Sequence, residues 1–489
     1  VEKASLMRTQ TTPKILLSAG VASALALSAV AVPQAHAESS LSSLSSSSGT
    51  PAKKKREKKP WVPVEPPKKT ASKPLRLPNG TTIQVMDDVL GKYSAHTGFR
   101  SGDLGAMAPM GNGEFAMIFG DSFRGNFGQG WMSPVGVVAK MDEDGFIKIL
   151  RPIDNTSEVS DMISYHRIND STLIPSDVIN VDGTLYLHGT FHAPFGTVVS
   201  SNVWRSDDGG KTWKEISSTP GNHMRGMTQL ISWDNGPDGY IYATSTKFGR
   251  ESPVYLWRFK PEDIDKPGNW EGYSAQIDDW SNHAEPILKN NVKAGEMCLR
   301  YIDGHWVLVM FNEDSQDVEV RISETLGRNW DNVRVAKIAR NGSWDNEQTP
   351  LNWSQPYGGY IVPGSHLDDM DIVVSQWKTS DNSRYTATQF NVKGLDKVYG
   401  IDADEVREEP EVTVVKQGSE TTADMEAEDN LVNDKPELFM SSEDSEALGT
   451  LRTVGIILGV LATVGAIGAV TLPMYRDMLP EPIQQMLPI

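Results

Sequence analysis

The stretch that decides the fold class is SDDGGKTW, at residues 206–213. It matches the aspartate-box pattern S-x-D-x-G-x-T-W. The spacing has a physical basis, because the Ser206 and Asp208 side chains can hold a tight turn, glycine permits the turn, and Trp213 packs between sheets. In β-propellers this box joins the outer two strands of a blade. The stretch therefore predicts a propeller, and its role is structural rather than catalytic.

A degraded second box, SETLGRNW, follows at residues 323–330, with Thr325 where aspartate belongs. Around both boxes, short alternating or apolar runs are separated by Gly, Asp and Asn turns, which is typical of all-β folds. Five strand–turn–strand units repeat along this region, and the boxes fall after the second and fourth units. We predict an all-β fold, a five-bladed β-propeller with six blades as the alternative. The units read LGAMAPMGNGEFAMIFGDSF, DVINVDGTLYLHGTF, MTQLISWDNGPDGYIYATST, EMCLRYIDGHWVLVMFNED and TPLNWSQPYGGYIVPGSH.

The segment before the propeller differs from it in composition. Residues 1–37 combine basic residues, an apolar run and the small-x-small pattern AHA, which predicts a cleaved signal peptide. Residues 38–74 are rich in Ser, Lys and Pro, which predicts a flexible linker. Alternatively, the basic run KKKREKK within it binds anionic wall polymer or lipid headgroups. The propeller is expected to occupy residues 75–400.

The segment after the propeller predicts a stalk and an anchor. Residues 401–450 hold 16 acidic and 3 basic residues and lack apolar periodicity, as in disordered, self-repelling chains. Residues 454–472 are uncharged and apolar over a length that can cross a bilayer, so we predict a transmembrane helix, followed by a short tail at 473–489. These segments predict an exported protein held on the outer face of the plasma membrane. The single cysteine, Cys298, excludes an intrachain disulfide.

Several classes of chemistry lack their motifs in this sequence. It has no G-x-S-x-G elbow, no H-E-x-x-H and no P-loop, and its 9 histidines lack metal-ligand spacing. We therefore expect neither a cofactor nor a metal. An exported chain is not expected to bind nucleic acid, and we expect a monomer.

The first hairpin unit is bracketed by two carboxylates. Asp103 lies nine residues before Asn112, the centre of the glycine turn, and Asp121 lies nine after it. In an unbulged antiparallel hairpin they face each other, with Cβ atoms about 4.5–5.5 Å apart. Two carboxylates that close repel, so one keeps its proton to higher pH, as general acid–base catalysis requires. The alternative is that each aspartate simply ends a strand.

Polar residues recur at the same two ends of the other hairpins. In a two-residue turn at Asp182 and Gly183, Asp177 faces His188. In a propeller such ends converge on the mouth of the central channel, so together they predict a site for a hydroxyl-rich ligand such as a sugar. Individually, each is also explained as an ordinary surface group. The residues predicted to bind substrate are Asp177, His188, His192, Arg225, Glu296, Asn312 and His366.

The GD…GDSF pair, the V-D-G-T-L-Y-L hairpin and the aspartate box together resemble the actinobacterial endo-D-arabinanases of glycoside hydrolase family 183, long known only as a domain of unknown function. The resemblance covers roughly residues 91–398. It implies a five-bladed propeller that cleaves internal α-D-arabinofuranosyl bonds of arabinogalactan or lipoarabinomannan. The family's acidic pair maps onto Asp103 and Asp121. We favour Asp103 as the acid and Asp121 as the base or nucleophile, with the reverse assignment open.

Other functions stay open at this stage. A non-catalytic propeller that binds wall glycan has the same fold, since fold does not fix function. A sialidase-like exo-glycosidase needs three arginines and a tyrosine nucleophile, but only Arg225 and Arg300 are available. A protein-interaction scaffold is a third alternative. The sequence leaves open the exact glycan, inversion or retention at the anomeric carbon, any bound metal, the oligomeric state, and whether the wall attacked is the cell's own.

Overall fold

The computed structural model describes residues 59–165, 171–193, 196–409 and 411–418, which form 23 strands in five antiparallel sheets. The predicted signal peptide, much of the linker, most of the stalk and the predicted span at 454–472 lie outside these residues. Among the residues described, no helix is both long enough and apolar enough to cross a membrane.

The first blade follows two N-terminal strands, β1 (Leu75–Arg76) and β2 (Thr82–Asp88). Its two innermost strands form the hairpin that carries Asp103 and Asp121. A two-residue strand at Trp131–Met132 pairs with the end of the second of them. The strands of this sheet are β3 (Ser101–Gly111), β4 (Glu114–Phe123), β5 (Trp131–Met132), β6 (Val135–Met141) and β7 (Ile147–Pro152).

The second blade contains the intact aspartate box between its outer two strands, as predicted. Ser206 Oγ donates to Asp208 Oδ1 at 2.8 Å, and the Gly210 amide donates to Ser206 Oγ at 2.8 Å. Gly210 has φ +87°, a left-handed conformation that favours glycine. Trp213 Nε1 donates to the Gly210 carbonyl at 3.0 Å. The strands are β8 (Thr172–Val181), β9 (Thr184–His192), β10 (Val198–Ser206) and β11 (Lys214–Pro220).

The third and fourth blades follow the same order. The third has five strands: β12 (Leu230–Asn235), β13 (Ile241–Thr246), β14 (Tyr255–Phe259), β15 (Glu271–Ser274) and β16 (Asp279–Ser281). The fourth holds the degraded box between its last two strands, where Ser323 Oγ donates to the Thr325 carbonyl at 2.9 Å because the aspartate is missing. Its strands are β17 (Ala294–Ile302), β18 (His305–Asn312), β19 (Asp317–Ser323) and β20 (Ala336–Ala339).

The fifth blade closes the ring with strands from both ends of the domain. Its strands β21 (Pro356–Ile361), β22 (Asp369–Trp377) and β23 (Tyr385–Lys393) are extended by β2 and then β1. In this closure Ile83 of β2 pairs with Val392 of β23. The five-bladed prediction is confirmed. The fifth hairpin was assigned wrongly, however, because PYGG is not a turn but the start of β21, and the turn lies at residues 362–368.

Short helical segments complete the domain. Single 3-10 turns lie at Gly91–Tyr93, Ala95–Thr97, His223–Gly226, Pro261–Asp263, Pro267–Asn269 and Trp330–Asn332, and two short helices, α1 (Leu395–Tyr399) and α2 (Ala403–Val406), follow the last strand. Residues 411–418, which we call the C-terminal strap, then cross the hairpin turns. The Val415 amide donates to the Met110 carbonyl at 3.0 Å, and the Lys416 amide donates to the Gly183 carbonyl at 2.9 Å. Val415 is buried.

The core lies between neighbouring sheets, so strands are buried on both faces. Residues 115–120 of β4 are buried without a break, and β19 is buried over its whole length. In β4 this burial appears as a continuous apolar run, because both faces pack against another blade. β19 instead alternates polar and apolar residues (DVEVRIS), although all of them are buried. Trp233 and Trp330 are among the largest side chains fully enclosed between blades.

Candidate active site

The five innermost strands begin at one end of the central channel, which we call the mouth, and end at the hairpin turns. Contacts between strand starts and between strand ends establish this common direction. At the mouth, the Ile231 amide of β12 donates to Ser176 Oγ of β8 at 2.9 Å. At the turn end, Asn180 Nδ2 of β8 donates to the Pro109 carbonyl of β3 at 2.9 Å. Side chains at the starts of these strands therefore converge.

Asp103 and Asp121 lie together at the mouth of the first blade. Gly102 pairs with Ser122, the register that the sequence predicted, but the ladder is irregular from Gly102 to Ala106 rather than unbulged. Leu104 has φ 64°, so the irregularity includes left-handed backbone at a non-glycine residue. Bulges of this kind re-aim side chains beside active sites. A Cβ added to Gly120 would lie 2.6 Å from Asp103 Oδ1, so glycine there leaves room for the carboxyl group.

The Asp103 carboxyl group sits in a weakly solvated environment. The residue as a whole is half-buried, but Oδ1 is inaccessible to solvent and has no hydrogen-bond partner within the described part of the chain. Tyr357 Oη donates to Oδ2 at 3.0 Å. Burial and the neighbouring Asp121 charge raise the pKa of Asp103 to about 8, and Tyr385 and Tyr357 partly offset this rise. Asp103 is therefore a neutral acid over most of the physiological pH range.

Asp121 has a different environment. It is half-buried, and Trp131 Nε1 donates to its Oδ1 at 2.6 Å. A donor at this distance supports the charged form of a carboxylate. Trp131 belongs to the two-residue strand β5, which pairs with the end of β4 that carries Asp121. The two carboxyl groups thus differ in environment, as an acid and a base require.

Glu296 lies at the mouth and is paired with Arg250, a residue that was not predicted from the sequence. Glu296 Oε1 accepts a hydrogen bond from Arg250 Nη2 at 2.6 Å, while Oε2 is buried without a partner among the described residues. The Arg250 guanidinium lies over the rings of Tyr357 and Phe311. Arg250 comes from an irregular loop after β13, and no periodicity or motif marks it in the sequence.

Asp177 and His188 are paired across β8 and β9, as predicted. Asp177 is fully buried, and its Oδ1 and Oδ2 each accept a hydrogen bond from Arg300 at 2.8 Å. Arg300 also donates to the Met107 carbonyl at 2.8 Å and the Trp233 carbonyl at 3.1 Å. This ion pair links the first four blades on the channel axis, so both Asp177 oxygens are occupied by protein groups.

Two histidines of β9 are buried near the mouth. His188 packs edge-on against Trp233, neither of its ring nitrogens has a partner among the described residues, and burial lowers its pKa to about 3. His192 Nε2 lies 2.7 Å from Thr190 Oγ1, its ring packs against Phe248, and burial lowers its pKa to about 4. Both imidazoles are neutral near pH 7, which suits polar contacts rather than charge.

Arg225 is exposed in the turn that precedes β12. Met224 and Arg225 have φ values of 47° and 60°, two consecutive left-handed non-glycine residues. Strained backbone of this kind clusters at functional sites. The turn lies directly before β12, the innermost strand of the third blade.

Asn312 and His366 differ from the prediction. Asn312 ends β18 near the mouth, but its amide caps a turn: Nδ2 donates to the Asn291 carbonyl at 3.0 Å, and Oδ1 accepts from the Lys293 amide at 3.1 Å. His366 lies at the turn end, with Nδ1 2.9 Å from Asp303 Oδ1. The placement of His366 at the mouth was wrong, because PYGG forms β21 and His366 belongs to the turn that follows it.

An aromatic cluster borders the carboxylates on the first and fifth blades. Phe127 stacks on Trp377 with ring centres 5.5 Å apart and meets Tyr385 edge-on at 5.1 Å. Phe123, two residues after Asp121, packs on Phe127 at 4.8 Å. No motif or spacing in the sequence predicts this cluster, because its members come together only when the fifth blade meets the first.

A narrow pocket opens beside Glu296, and all five innermost strands contribute to its wall. Its lining residues include Leu104, Ser176, Ile231, Phe248, Glu296 and Tyr360. No group of three or more His, Cys, Asp or Glu side chains suited to a metal ion occurs in the described ranges. The mouth thus combines a neutral buried acid, a hydrogen-bonded carboxylate and a set of polar and aromatic side chains.

A family model described as "Domain of unknown function (DUF4185)" matches residues 91–391. An uncharacterized 35.9 kDa protein of Mycolicibacterium smegmatis is 27% identical over 301 residues, covering 57% of this chain and 88% of that protein. A solved structure from Bacteroides ovatus has a TM-score of 0.49 at 12% identity, covering 68% of this chain and 96% of that chain.

An arabinanase from Bacillus subtilis has a TM-score of 0.37 at 13% identity, covering 60% of this chain and 96% of that chain. Structural similarity at these levels carries no information about activity. The family model, in contrast, spans more than half of the sequence and nearly all of the propeller. The chain belongs to the DUF4185 family.

Proposed function

We propose that this protein is a glycoside hydrolase that cleaves internal α-D-arabinofuranosyl bonds of arabinogalactan or lipoarabinomannan by carboxylate acid–base catalysis. The observation that carries the proposal is the pair at the mouth, Asp103 and Asp121, whose environments differ. Glycosidases need one carboxyl group that is protonated at working pH and one that is ionised.

Asp103 acts as the acid. Because its pKa is raised to about 8, it holds a proton at neutral pH and donates it to the oxygen of the leaving sugar. The carboxylate that forms is stabilised by Tyr357, which donates to Oδ2, and by the adjacent Tyr385. Burial and the nearby Asp103 raise the pKa of both tyrosines well above the usual value, so they remain donors throughout.

Asp121 acts as the base or nucleophile. The Trp131 indole fixes its carboxylate, which either activates water or attacks the anomeric carbon. An inverting enzyme separates the two carboxyl groups by about 6.5–9.5 Å and a retaining one by about 5–5.5 Å. The resemblance to the endo-D-arabinanases favours inversion.

The sugar chain lies across the mouth. His188, His192 and Glu296 hold buried polar atoms that have no partner among the described residues, and we propose that a bound sugar reaches them when it displaces the side chains at the mouth. Arg225 is exposed at the start of the third blade. Asp177 and Asn312 form their hydrogen bonds within the protein, so we assign them a structural role rather than a direct contact with the sugar. The choice of arabinan as substrate rests on the family resemblance. We propose that the predicted signal peptide, stalk and anchor hold the enzyme on the outer face of the plasma membrane, within reach of the wall.

The test is product formation from purified polysaccharide. The full-length protein is incubated with arabinogalactan, and new reducing ends and released oligosaccharides are measured. Asp121→Asn removes the base, while Asp279→Asn alters an exposed carboxylate on the outermost strand of the third blade and serves as the control. We expect oligosaccharides from the wild type and the control only. Binding without product in all three proteins would instead establish a wall-glycan-binding propeller.

A further inference from the structure

Arg250 has no part in the chemistry described so far, yet its loop is held firmly. The loop joins β13 to β14 and reaches from the third blade to the fourth. The Ala294 amide donates to the Ser252 carbonyl at 2.9 Å, and the Val254 amide donates to the Leu288 carbonyl at 2.9 Å. Arg250 itself has φ 52°, a left-handed backbone conformation that is rare for arginine. The loop therefore presents this side chain at a defined place.

The guanidinium of Arg250 contacts two other blades. Nη2 lies 2.6 Å from Glu296 Oε1 on the fourth blade, and Cζ lies 5.3 Å from the ring centre of Tyr357 on the fifth. Gly295 leaves the necessary room, since a Cβ there would lie 2.9 Å from the Phe311 ring and 3.4 Å from Arg250 Cδ. Glu313 is a weaker second partner, at 3.9 Å.

These contacts lead directly to the proposed acid. Tyr357, under the guanidinium, donates its hydroxyl hydrogen bond to Asp103 at 3.0 Å. A cation over the face of a phenol attracts its π electrons, which makes the hydroxyl a stronger donor. The same cation neutralises Glu296, whose negative charge otherwise favours the protonated form of Asp103.

We propose that Arg250 is a positioning residue that controls the proton on Asp103 by two routes, through the Tyr357 hydroxyl and through the charge on Glu296. The proposal rests on the glycosidase function above and adds a residue to it. Both routes act in one direction, because a stronger donor and a neutralised Glu296 each ease ionisation of Asp103.

The charged and titratable groups around Asp103 allow the sign of each substitution to be worked out. Asp121 faces it from β4, Glu296 from β17, Tyr357 from β21 and Tyr385 from β23. Arg250→Met leaves Glu296 unneutralised and weakens the Tyr357 donor, so the pKa of Asp103 rises. Glu296→Gln leaves Arg250 as an uncompensated cation, so the pKa of Asp103 falls. A purely structural role for the pair predicts lost activity without shifts of opposite sign.

The experiment is a pH profile of kcat/KM on arabinogalactan for the full-length wild type, Arg250→Met, Glu296→Gln and the double variant. Activity falls at high pH as Asp103 ionises. We expect this alkaline limb to move up by about half to one pH unit in Arg250→Met, down by a similar amount in Glu296→Gln, and back towards the wild type in the double variant. Arg258→Met, which breaks the comparable Arg258–Glu271 pair in the same blade, is the matched control and leaves the limb in place.

A second measurement separates this proposal from the proposed function. The carboxyl carbon of Asp103 is titrated by NMR in the same proteins, with Asp103→Asn identifying the signal, and needs no activity. Opposite shifts in the two single variants support the proposal even if no glycan is cleaved. Shifts of the same sign, or none, in folded variants overturn it. Arg250→Lys keeps a cation and is expected to titrate closer to the wild type than Arg250→Met.

Discussion

Replacing Asp103 by asparagine is expected to stabilise the fold at neutral pH while abolishing activity. An aspartate in the unfolded chain ionises near pH 4, whereas burial and Asp121 raise the pKa of Asp103 in the folded protein to about 8. Between these two values the folded state holds a proton that the unfolded state has lost. The free energy of unfolding therefore falls as pH rises through this window. Asparagine is neutral at every pH and removes that penalty.

The magnitude follows from the pKa difference. At neutral pH about three units of the shift are expressed, which corresponds to an upper limit of roughly 4 kcal/mol. The asparagine amide nitrogen takes the position of Oδ1, where its two donors find no acceptor among the described residues, which costs about 1 kcal/mol. We expect a net gain of at most roughly 3 kcal/mol at neutral pH.

The assay is urea denaturation of the wild type and Asp103→Asn at a series of pH values from about 5 to about 8. The stability of the variant relative to the wild type is expected to increase steadily across this range. Asp279→Asn, at an exposed position, is the control and shows no such trend. A difference between Asp103→Asn and the wild type that stays constant from the lowest to the highest pH would show that the pKa of Asp103 is not raised in the folded protein.

Three further outcomes are expected. Gly120→Ala places a Cβ 2.6 Å from Asp103 Oδ1, and the displaced carboxyl group lowers kcat by about 100-fold while urea denaturation still shows a folded protein. Wild-type turnover in this variant would contradict the geometry. Arg300→Met leaves the buried Asp177 without its ion-pair partner, which lowers the free energy of unfolding by about 3–5 kcal/mol. A change below about 1 kcal/mol would mean that the Asp177–Arg300 ion pair does not hold the blades together. Val415→Asp detaches the C-terminal strap, so limited proteolysis at the strap becomes faster while the rate of glycan cleavage is kept, and unchanged proteolysis would show that the strap is held elsewhere.

Local patterns in the sequence were sufficient for most of the fold. An aspartate box is a single turn whose donors and acceptors lie within eight residues, so its place between outer strands was predictable in both blades that contain one. The fifth hairpin was not, because a glycine pair such as the one in PYGG occurs both in turns and within strands. The pairing of β2 with β23, which closes the ring of blades, was also not predictable, because the two strands lie about 300 residues apart in the sequence.

Within the candidate site, contacts inside one hairpin were predictable from the sequence, and contacts between blades were not. The relation of Asp103 to Asp121 follows from symmetric spacing about one turn, and the pairing of Asp177 with His188 follows from another. The ladder irregularity at Leu104 and the partners from other blades do not follow from spacing. Arg300, which binds Asp177 from 123 residues away, and Tyr357, which binds Asp103 from 254 residues away, meet their partners only when the ring closes.

The most direct test of the central claim is a proton NMR time course of arabinogalactan digestion at mildly acidic pH. The full-length wild type, Asp103→Asn and Asp121→Asn are compared at equal concentration. We predict new reducing-end anomeric signals from the wild type and none from either variant over the same period. New signals at the wild-type rate from Asp121→Asn, or no signal from the wild type, would contradict it.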